Sequence, residues 1–346
     1  MAHDRADTKK RLDELWKQDL EVLDIVGNKY VMISDVHLGN DSGADDFRNN
    51  KYIMVNALEK YNAQGYTLIL LGDIEELWQF DLAEIRDTYG DSVYEAMRQF
   101  GDRIIRVFGN HDIDWSQPED PIYRADNARH RAAEAVKMRY SEGHEPKILL
   151  VHGHQGSTES DKASWFSRLA VHEAWTPIES ALRSIGIYSN PSYTKSQVTQ
   201  EFEQFYHTWA KNNKVMIICG HSHRAIFASR SHAEEIEEEI ANLQLDIRRN
   251  RGNTDLIEEM IEKITEKQKT LLKERMKGRD IDPLVAGGQT KPCYFNTGCA
   301  LYTNGITAIE LDDQQIRLVK WHAPRQETAD VLQRASITEY LQEVCA

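Results

Sequence analysis

Several apolar segments of the chain stop abruptly in polar residues. They are YVMISDVHLG (30–39), TLILLGDIEELW (67–78), RIIRVFGNHD (103–112), KILLVHGHQG (147–156) and KVMIICGHSHR (214–224). Their apolar residues are continuous rather than alternating, which is typical of strands buried on both faces of a sheet. Helical patterns follow at 48–63, 81–101 and 122–140. The alternation predicts an α/β sheet, in which ligands bind at the carboxyl ends of the strands.

Two insertions interrupt this pattern. Residues 157–213 predict a helical cap, whose aromatic side chains either line a ligand pocket or form the core of the cap. These aromatics are Trp165, Phe166, Trp175, Tyr188, Phe202, Phe205 and Trp209. Residues 231–278 are highly charged and have apolar residues at a spacing of three to four on both sides of a turn at 249–253. That spacing predicts a projecting helical hairpin, either a solvated arm or a contact surface for a second copy or another partner.

Both ends of the chain predict helices. Residues 1–27 form an N-terminal helical segment, and residues 326–346 a C-terminal one with an amphipathic pattern over 328–344. Strand patterns resume from residue 292, and neither an internal repeat nor a low-complexity linker is present. We therefore predict one domain over 28–325 that contains both insertions.

The composition of the 346 residues, with 40% hydrophobic and 28% charged, suits a globular protein. No apolar stretch is long enough to span a bilayer, and the N-terminus lacks the apolar core of a secretory signal. The four cysteines form no CxxC pair. These features predict a cytoplasmic protein without a transmembrane segment and with reduced thiols.

The net charge of −14 argues against a protein that coats nucleic acid, because such binding depends on neutralising phosphates. It leaves open a small anionic substrate at a site where bound metal reverses the local charge.

The polar residues at the predicted strand ends are candidate metal ligands. They are Asp35, His37, Asp73, Asn110, His111, His152, His154, His221 and His223. Oxygen and imidazole donors without thiolates suit borderline divalent ions better than a structural zinc site. In an extended segment the side chains of residues i and i+2 point the same way, so Asp35 and His37, or His221 and His223, can converge on one cavity.

The order of these segments resembles the calcineurin-like metallophosphoesterase superfamily over residues 28–228, and weakly over 292–321. The matching motifs are Asp35-Val36-His37, Gly72-Asp73, Gly109-Asn110-His111-Asp112, His152-Gly153 and Gly220-His221-Ser222-His223. The resemblance implies a four-layer αββα sandwich of two mixed β-sheets with helical insertions. It also implies metal-dependent hydrolysis of a phosphoric ester or a diphosphate.

The resemblance further implies two divalent ions, with Mn²⁺ as the first expectation and Fe²⁺, Zn²⁺ or Ni²⁺ as alternatives. One ion would be held by Asp35, His37 and His223, and the other by Asn110, His152 and His221. Asp73 would bridge them. His154 is not a ligand in the family, so we expect it to have a structural role.

Such a pair of ions explains the remaining residues of the GNHD segment. Two cations roughly 3.5–4 Å apart hold a hydroxide between them and clamp the phosphoryl oxygens. The side chain of His111 is then left to assist the leaving group. We predict that Asp112 orients this imidazole, with a plain turn carboxylate as the alternative.

Two segments resemble one branch of the superfamily, the UDP-2,3-diacylglucosamine diphosphatases. Residues 71–78 (LGDIEELW) match with Glu76 and Trp78 in register, and residues 220–227 (GHSHRAIF) match through Arg224. Arg224 is a candidate for phosphate binding, with an ordinary surface role as the alternative. The chain departs from that branch at His111, where those enzymes have arginine.

Other substrates and another class of function remain open from the sequence. A phosphorylated small molecule, a nucleotide sugar or a nucleic acid would each fit the predicted chemistry. The alternatives are a nuclease or cyclic-nucleotide phosphodiesterase of the same fold, and a protein-interaction scaffold that uses the charged hairpin.

Overall fold

The computed structural model of the protein describes most of the chain. The described residues are 5–116, 132–155, 197–231, 236, 240, 243–244, 247, 254–276, 291–302 and 305–346. Most of the predicted cap, including Trp165, Phe166, Trp175 and Tyr188, and the predicted turn at 249–253 lie outside them.

The helices of the described residues are mostly those that the apolar pattern predicts. They are α1 (Arg5–Lys17), α2 (Lys51–Ala63), α3 (Leu82–Tyr89), α4 (Glu95–Arg98), α5 (Gln197–Asn213), α6 (Thr254–Met276) and α7 (Ile337–Cys345). A π-helical turn (Gly90–Tyr94) joins α3 to α4, and 3-10 helices lie at Arg48–Asn50 and Ile113–Ser116. None of the helices in this part of the chain is long and apolar enough to cross a membrane.

The strands form two sheets. The strands are β1 (Val22–Asp24), β2 (Tyr30–Ile33), β3 (Thr67–Leu71), β4 (Ile104–Val107), β5 (Ala135–Arg139), β6 (Ile148–Val151), β7 (Met216–Cys219), β8 (Ala225–Phe227), β9 (Arg230–Ser231), β10 (Tyr294–Thr297), β11 (Ile306–Leu311), β12 (Gln315–Trp321) and β13 (Asp330–Ser336). The first sheet has seven strands in the order β1-β5-β6-β7-β10-β8-β9, and the second has six in the order β13-β12-β11-β2-β3-β4. Both sheets are mixed, with parallel pairs such as β2–β3 and β6–β7 and antiparallel pairs such as β11–β12 and β5–β6.

Alternate residues of β2 show how the layers stack. Met32 belongs to a buried cluster that also contains residues of the first sheet, whereas Val31 and Ile33 belong to a second cluster with α2, α3 and α4. Phe202 and Tyr206 of α5 also join the first cluster, so α5 packs on the first sheet. Because side chains alternate across a strand, the fully buried strands β2, β6 and β7 are covered on both faces of their sheets. The fold is therefore the expected four-layer αββα sandwich.

The aromatics of α5 have a structural role. Phe202 and Trp209 are buried, and Trp209 meets Trp16 of α1 edge to face, with ring centroids 6.5 Å apart. Asp13 of α1 accepts a hydrogen bond of 2.8 Å from the Trp209 indole nitrogen. This end of the predicted cap packs on the first sheet, in agreement with the alternative that its aromatics form a core.

Apolar residues of the charged insertion also pack together. Ile236 and Ile240 form a buried cluster with Leu271 of α6, against which Ile264 packs. These contacts join the two apolar repeats of residues 231–278, and the helical hairpin itself stays a prediction.

Three local predictions were wrong. Within 122–140, which predicts a helix, Ala135–Arg139 is strand β5, paired with β1 and β6. Within the predicted helix 328–344, residues Asp330–Ser336 are strand β13, and the helix begins only at Ile337 after Ser336, whose hydroxyl accepts from the Glu339 amide. The N-terminal segment 1–27 contains β1 as well as a helix. The segments that contain β1 and β13 lie at the edges of the sheets, where pairing with one neighbour decides the conformation against a weak local pattern.

Candidate metal centre

The predicted ligands lie just after the strands that carry their motifs, at one rim of the sandwich. Asp35 and His37 follow β2, Asp73 follows β3, His152 follows β6, and His221 follows β7. The carboxyl ends of these strands meet where the two sheets face each other, so residues far apart in the chain become neighbours.

The structure brings the candidate donors together in groups. The ligand atoms of Asp35, His37 and His223 all lie within 4.8 Å of one another, as do those of Asp73, His152 and His221. The two groups adjoin, because His37 Nε2 is 4.0 Å from Asp73 Oδ2. Each group offers one carboxylate and two imidazoles, a donor set that suits a divalent cation of borderline character.

Several buried side-chain atoms at this rim have no hydrogen-bond partner, among them atoms of the predicted ligands Asn110 and His152. The Asn110 Oδ1 atom is buried and accepts no hydrogen bond. His152 Nδ1 donates to the Leu71 carbonyl at 2.9 Å, which leaves Nε2 facing the site; that atom lies 2.9 Å from Asp73 Oδ2 but without hydrogen-bond geometry. Buried polar atoms without partners are rare, and a cation would be a partner for both Asn110 Oδ1 and a deprotonated His152 Nε2. The residues present therefore fit a metal.

The backbone conformation of the ligands differs from the predicted extended one. Asp35, His37, Asp73, His221 and His223 have positive φ angles between 51° and 67°. Alternation along a strand is therefore not what makes Asp35 and His37 converge, and His221 and His223 belong to different groups. Left-handed backbone is uncommon outside glycine and accumulates at functional sites, because surrounding structure must offset its strain.

Two motif glycines are required by close approach to the ligands. A side chain at Gly109 would collide with the Asp73 carboxylate and backbone, and one at Gly72, whose φ is +84°, would collide with the His152 ring. These residues bring β3, β4 and β6 close enough for their ligands to meet. The glycine of GNHD thus makes room for Asp73.

Neighbouring charges keep the carboxylates of the site ionised. Burial opposes ionisation of Asp35, but the imidazoles of His223 and His152 lower its pKa to about 2. Burial likewise opposes ionisation of Asp73, and His152 and His111 hold its pKa well below the usual range. Burial and then the charge of His152 lower the pKa of His221 to about 3. The site therefore combines anionic carboxylates with a neutral His221 imidazole. Burial opposes protonation of His152, but the charge of Asp73 raises its pKa to about 9, so metal binding there would release a proton.

A third group, formed by His37, Glu76 and His111, adjoins the first. The buried carboxylate of Glu76 uses one oxygen for each imidazole, with Oε2 2.7 Å from His37 Nδ1 and Oε1 2.7 Å from His111 Nδ1. Burial opposes ionisation of Glu76, but His111 and His37 lower its pKa to about 2. Glu76 is a site residue to which the sequence assigned no role. It lies three residues after Asp73 in the same strand-end loop, and this position is the sequence feature that could have identified it.

The prediction that Asp112 orients His111 is wrong. The Asp112 carboxylate accepts the backbone amides of Gly109 at 2.6 Å and Ile74 at 2.9 Å. Burial, with the charge of Asp73 next, raises the pKa of Asp112 to about 7. Asp112 therefore links the loop after β4 to the loop after β3, which is the turn role given as the alternative. Glu76, and not Asp112, contacts Nδ1 of the His111 imidazole.

Trp78 contacts His111 directly. The indole and imidazole rings are stacked, with centroids 3.9 Å apart and an interplanar angle of 21°. The indole nitrogen donates to the Asn110 carbonyl at 2.9 Å. One wall of the site is thus aromatic and is attached to the GNHD turn.

Two further predicted residues lie beside these groups. Arg224 donates to the buried carboxylate of Glu203 on α5 at 2.5 Å, so part of its guanidinium is engaged within the protein. Its contact with a phosphate stays a prediction. His154 is buried, and burial holds its pKa well below the usual value; its ring centroid is 5.7 Å from that of His152.

A model of the calcineurin-like phosphoesterase family matches residues 29–225, which contain the motifs from Asp35 to His223. No curated protein matches the chain.

Proposed function

The chain belongs to the calcineurin-like phosphoesterase family and is a metal-dependent phosphoesterase; from this premise, we propose that it hydrolyses a phosphoester or pyrophosphate bond with two divalent ions. The observation that carries the proposal is the pair of adjoining groups, Asp35-His37-His223 and Asp73-His152-His221. A single ion would need only one of these groups, so the second set of buried donors beside it favours two ions.

In this proposal, each group holds one ion. Asp35, His37 and His223 bind the first ion, and Asn110, His152 and His221 the second. Asp73 is shared, supported by the 2.9 Å distance from its Oδ2 to His152 Nε2 and the 4.0 Å distance to His37 Nε2. When bound, two such ions lower the pKa of water towards neutrality and offset charge on the phosphoryl oxygens. The residues favour Mn²⁺, with Fe²⁺, Zn²⁺ and Ni²⁺ as alternatives.

His111 supplies the acid of the reaction. Glu76 occupies its Nδ1, which leaves Nε2 as the ring atom that meets the substrate. Burial opposes protonation of His111, but the charges of Glu76 and Asp73 raise its pKa, which favours the protonated ring that a leaving oxygen needs. The His111 side chain is 21% exposed, which leaves it open to a substrate.

Glu76 is a positioning residue for both His37 and His111, so a neutral side chain there is expected to impair both. Glu76→Gln offers one acceptor oxygen where the carboxylate offers two, and it removes the charge that both imidazoles face. We expect Mn²⁺ affinity to fall about 10- to 100-fold, as for other groups that support a ligand, and kcat at saturating Mn²⁺ to fall as well.

Activity measured against Mn²⁺ concentration separates these two effects. Glu84→Gln, an exposed residue of α3, is the matched control and should leave both values unchanged. An unaltered Mn²⁺ dependence and kcat in Glu76→Gln would show that its contacts with the two imidazoles do not serve the reaction.

For the substrate, we propose a small phosphorylated molecule, with a nucleotide-sugar diphosphate as the first candidate. The support is the resemblance of residues 71–78 and 220–227 to the UDP-2,3-diacylglucosamine diphosphatases, together with the contacts that Glu76 and Trp78 make with His111. The net charge of −14 supports a small substrate over a nucleic acid.

The proposed function is tested by a hydrolysis panel with added Mn²⁺. The panel contains p-nitrophenyl phosphate, bis(p-nitrophenyl) phosphate, cyclic nucleotides, UDP-sugars and short DNA. We expect cleavage that chelation abolishes and Mn²⁺ restores, with UDP-sugars among the better substrates. Activity on the monoester alone excludes the diphosphatase branch, and cleavage of DNA alone assigns the protein as a nuclease.

We also propose that residues 28–325 form the catalytic domain and that the insertions elaborate it. The charged hairpin is then an accessory element, because its apolar cluster of Ile236, Ile240 and Leu271 is separate from the two clusters of the sandwich. A contact of this hairpin with a second copy or another partner stays a prediction.

A further inference from the structure

The side chain of Trp78 is positioned to control the plane of the His111 ring. The two rings lie face to face, 3.9 Å apart between centroids and 21° from parallel. On the other side, His37 meets His111 edge to face, with centroids 4.6 Å apart and an angle of 84°. Turning the imidazole about its side-chain bonds would drive its edge into the indole or into His37.

The contact with Glu76 does not by itself fix this plane. Glu76 Oε1 and His111 Nδ1 are 2.7 Å apart, which sets the direction of that nitrogen. A single hydrogen bond still permits the ring to swing about the bond axis, and that motion displaces Nε2 on the far side of the ring. The flat face of Trp78 removes this freedom.

Trp78 is itself fixed to the turn that carries His111. Its indole nitrogen donates to the Asn110 carbonyl at 2.9 Å, and the amide of Leu77 donates to the His111 carbonyl at 3.2 Å. The loop from Glu76 to Trp78 therefore contacts the GNHD turn through hydrogen bonds to its backbone as well as through the His111 ring. Trp78 is half-buried, and packing alone does not require hydrogen bonds that fix its loop to this turn.

We propose that Trp78 is a positioning residue for proton transfer and that it determines how strongly the rate depends on the leaving group. The inference rests on the proposed role of His111. As the P–O bond breaks, its electron pair stays on the leaving oxygen, which takes the proton from His111 Nε2. The attacking water releases one proton to solvent, and His111 later takes one up, so the proton count balances. Correct placement of an acid within hydrogen-bond reach is what makes such a transfer efficient.

The test compares aryl esters that differ only in the leaving group, p-nitrophenyl against phenyl, in the ester class that the enzyme hydrolyses. The p-nitrophenolate leaves readily without a proton, whereas phenolate benefits from one. We expect Trp78→Leu to lower kcat for the phenyl ester about 10-fold more than for the p-nitrophenyl ester. Trp78→Phe keeps a flat face and should retain most of the phenyl ester rate. Metal content should equal that of the unaltered protein in both variants.

His111→Ala separates this inference from the proposed function. That variant should show a leaving-group dependence at least as steep, and adding Trp78→Leu to it should change nothing further, because the two residues act through one ring. A steep dependence in His111→Ala with equal losses on both esters in Trp78→Leu overturns the inference alone. A flat dependence in His111→Ala removes the acid role of His111 and with it the proposed mechanism.

A second readout needs no turnover. In the metal-free protein, Trp78→Leu should increase the rate at which diethyl pyrocarbonate modifies His111, followed by peptide mass spectrometry, because a ring that can swing exposes its reactive Nε2 atom more often. The exposed His144 serves as the internal reference. An unchanged rate at His111 overturns the positioning role whatever the kinetics show.

Discussion

Asp73→Asn is expected to abolish hydrolysis and to leave the protein with less than its full complement of metal. The Asp73 carboxylate lies between the two ligand groups, with Oδ2 2.9 Å from His152 Nε2 and 4.0 Å from His37 Nε2. An amide is nearly the same size but has no charge to offset the repulsion between two cations. In the proposed mechanism, two ions would contribute several kcal/mol of transition-state stabilisation, so we expect kcat to fall by more than about 10³-fold.

The measurement pairs steady-state rates in Mn²⁺ with metal content by elemental analysis. Asp24→Asn is the matched control, because Asp24 pairs with Arg139 at 2.6 Å outside the two ligand groups and should have almost no effect. If Asp73→Asn bound two ions and turned over normally, the shared carboxylate would have no part in the site.

His111→Ala is expected to lower kcat but, unlike Asp73→Asn, to leave the metal content of the protein unchanged. The His111 imidazole contacts Glu76 and Trp78 and belongs to neither group that we assign to the ions. General acid catalysis by a well-placed side chain contributes about 10²- to 10⁴-fold, and we expect kcat to fall by that factor. KM should change less, because the loss occurs in the transition state.

His144→Ala is the control for this variant. His144 is exposed, with Ser141 3.0 Å from its Nδ1, and should leave kcat unchanged. A His111→Ala protein with both ions and undiminished turnover would remove His111 from the mechanism.

The candidate ligands could be predicted because each is carried by a short motif at the end of an apolar run. The runs ending before Asp35, Asp73 and His221 are continuous, and the strands are buried as that pattern requires. Where a buried strand ends in histidine or carboxylate residues, few backbone conformations give those polar side chains a hydrogen-bond or metal partner. Their proximity follows from the sheet rather than from extended backbone, since these residues have positive φ angles.

The partner of His111 could not be predicted in the same way. Asp112 is its neighbour in sequence, and Glu76 is 35 residues away. The tight turn after β4 directs the Asp112 carboxylate to the backbone amides of Gly109 and Ile74, which frees the imidazole for Glu76. Hydrogen-bond partners of side chains depend on which loops the fold brings side by side, and sequence distance does not measure that.

The chain by itself determined the class of the fold, the strands of its core and the residue types that face the rim, because burial on both faces demands continuous apolar runs. Only the tertiary structure decided the conformations of edge segments such as 330–336, the left-handed backbone of the predicted ligands, and the contacts of Glu76 and Trp78 with His111. The physical reason is the range of the interactions involved. An apolar pattern is a property of consecutive residues, whereas edge-strand pairing and the contacts of site side chains arise between segments that meet only when the sheets form and pack.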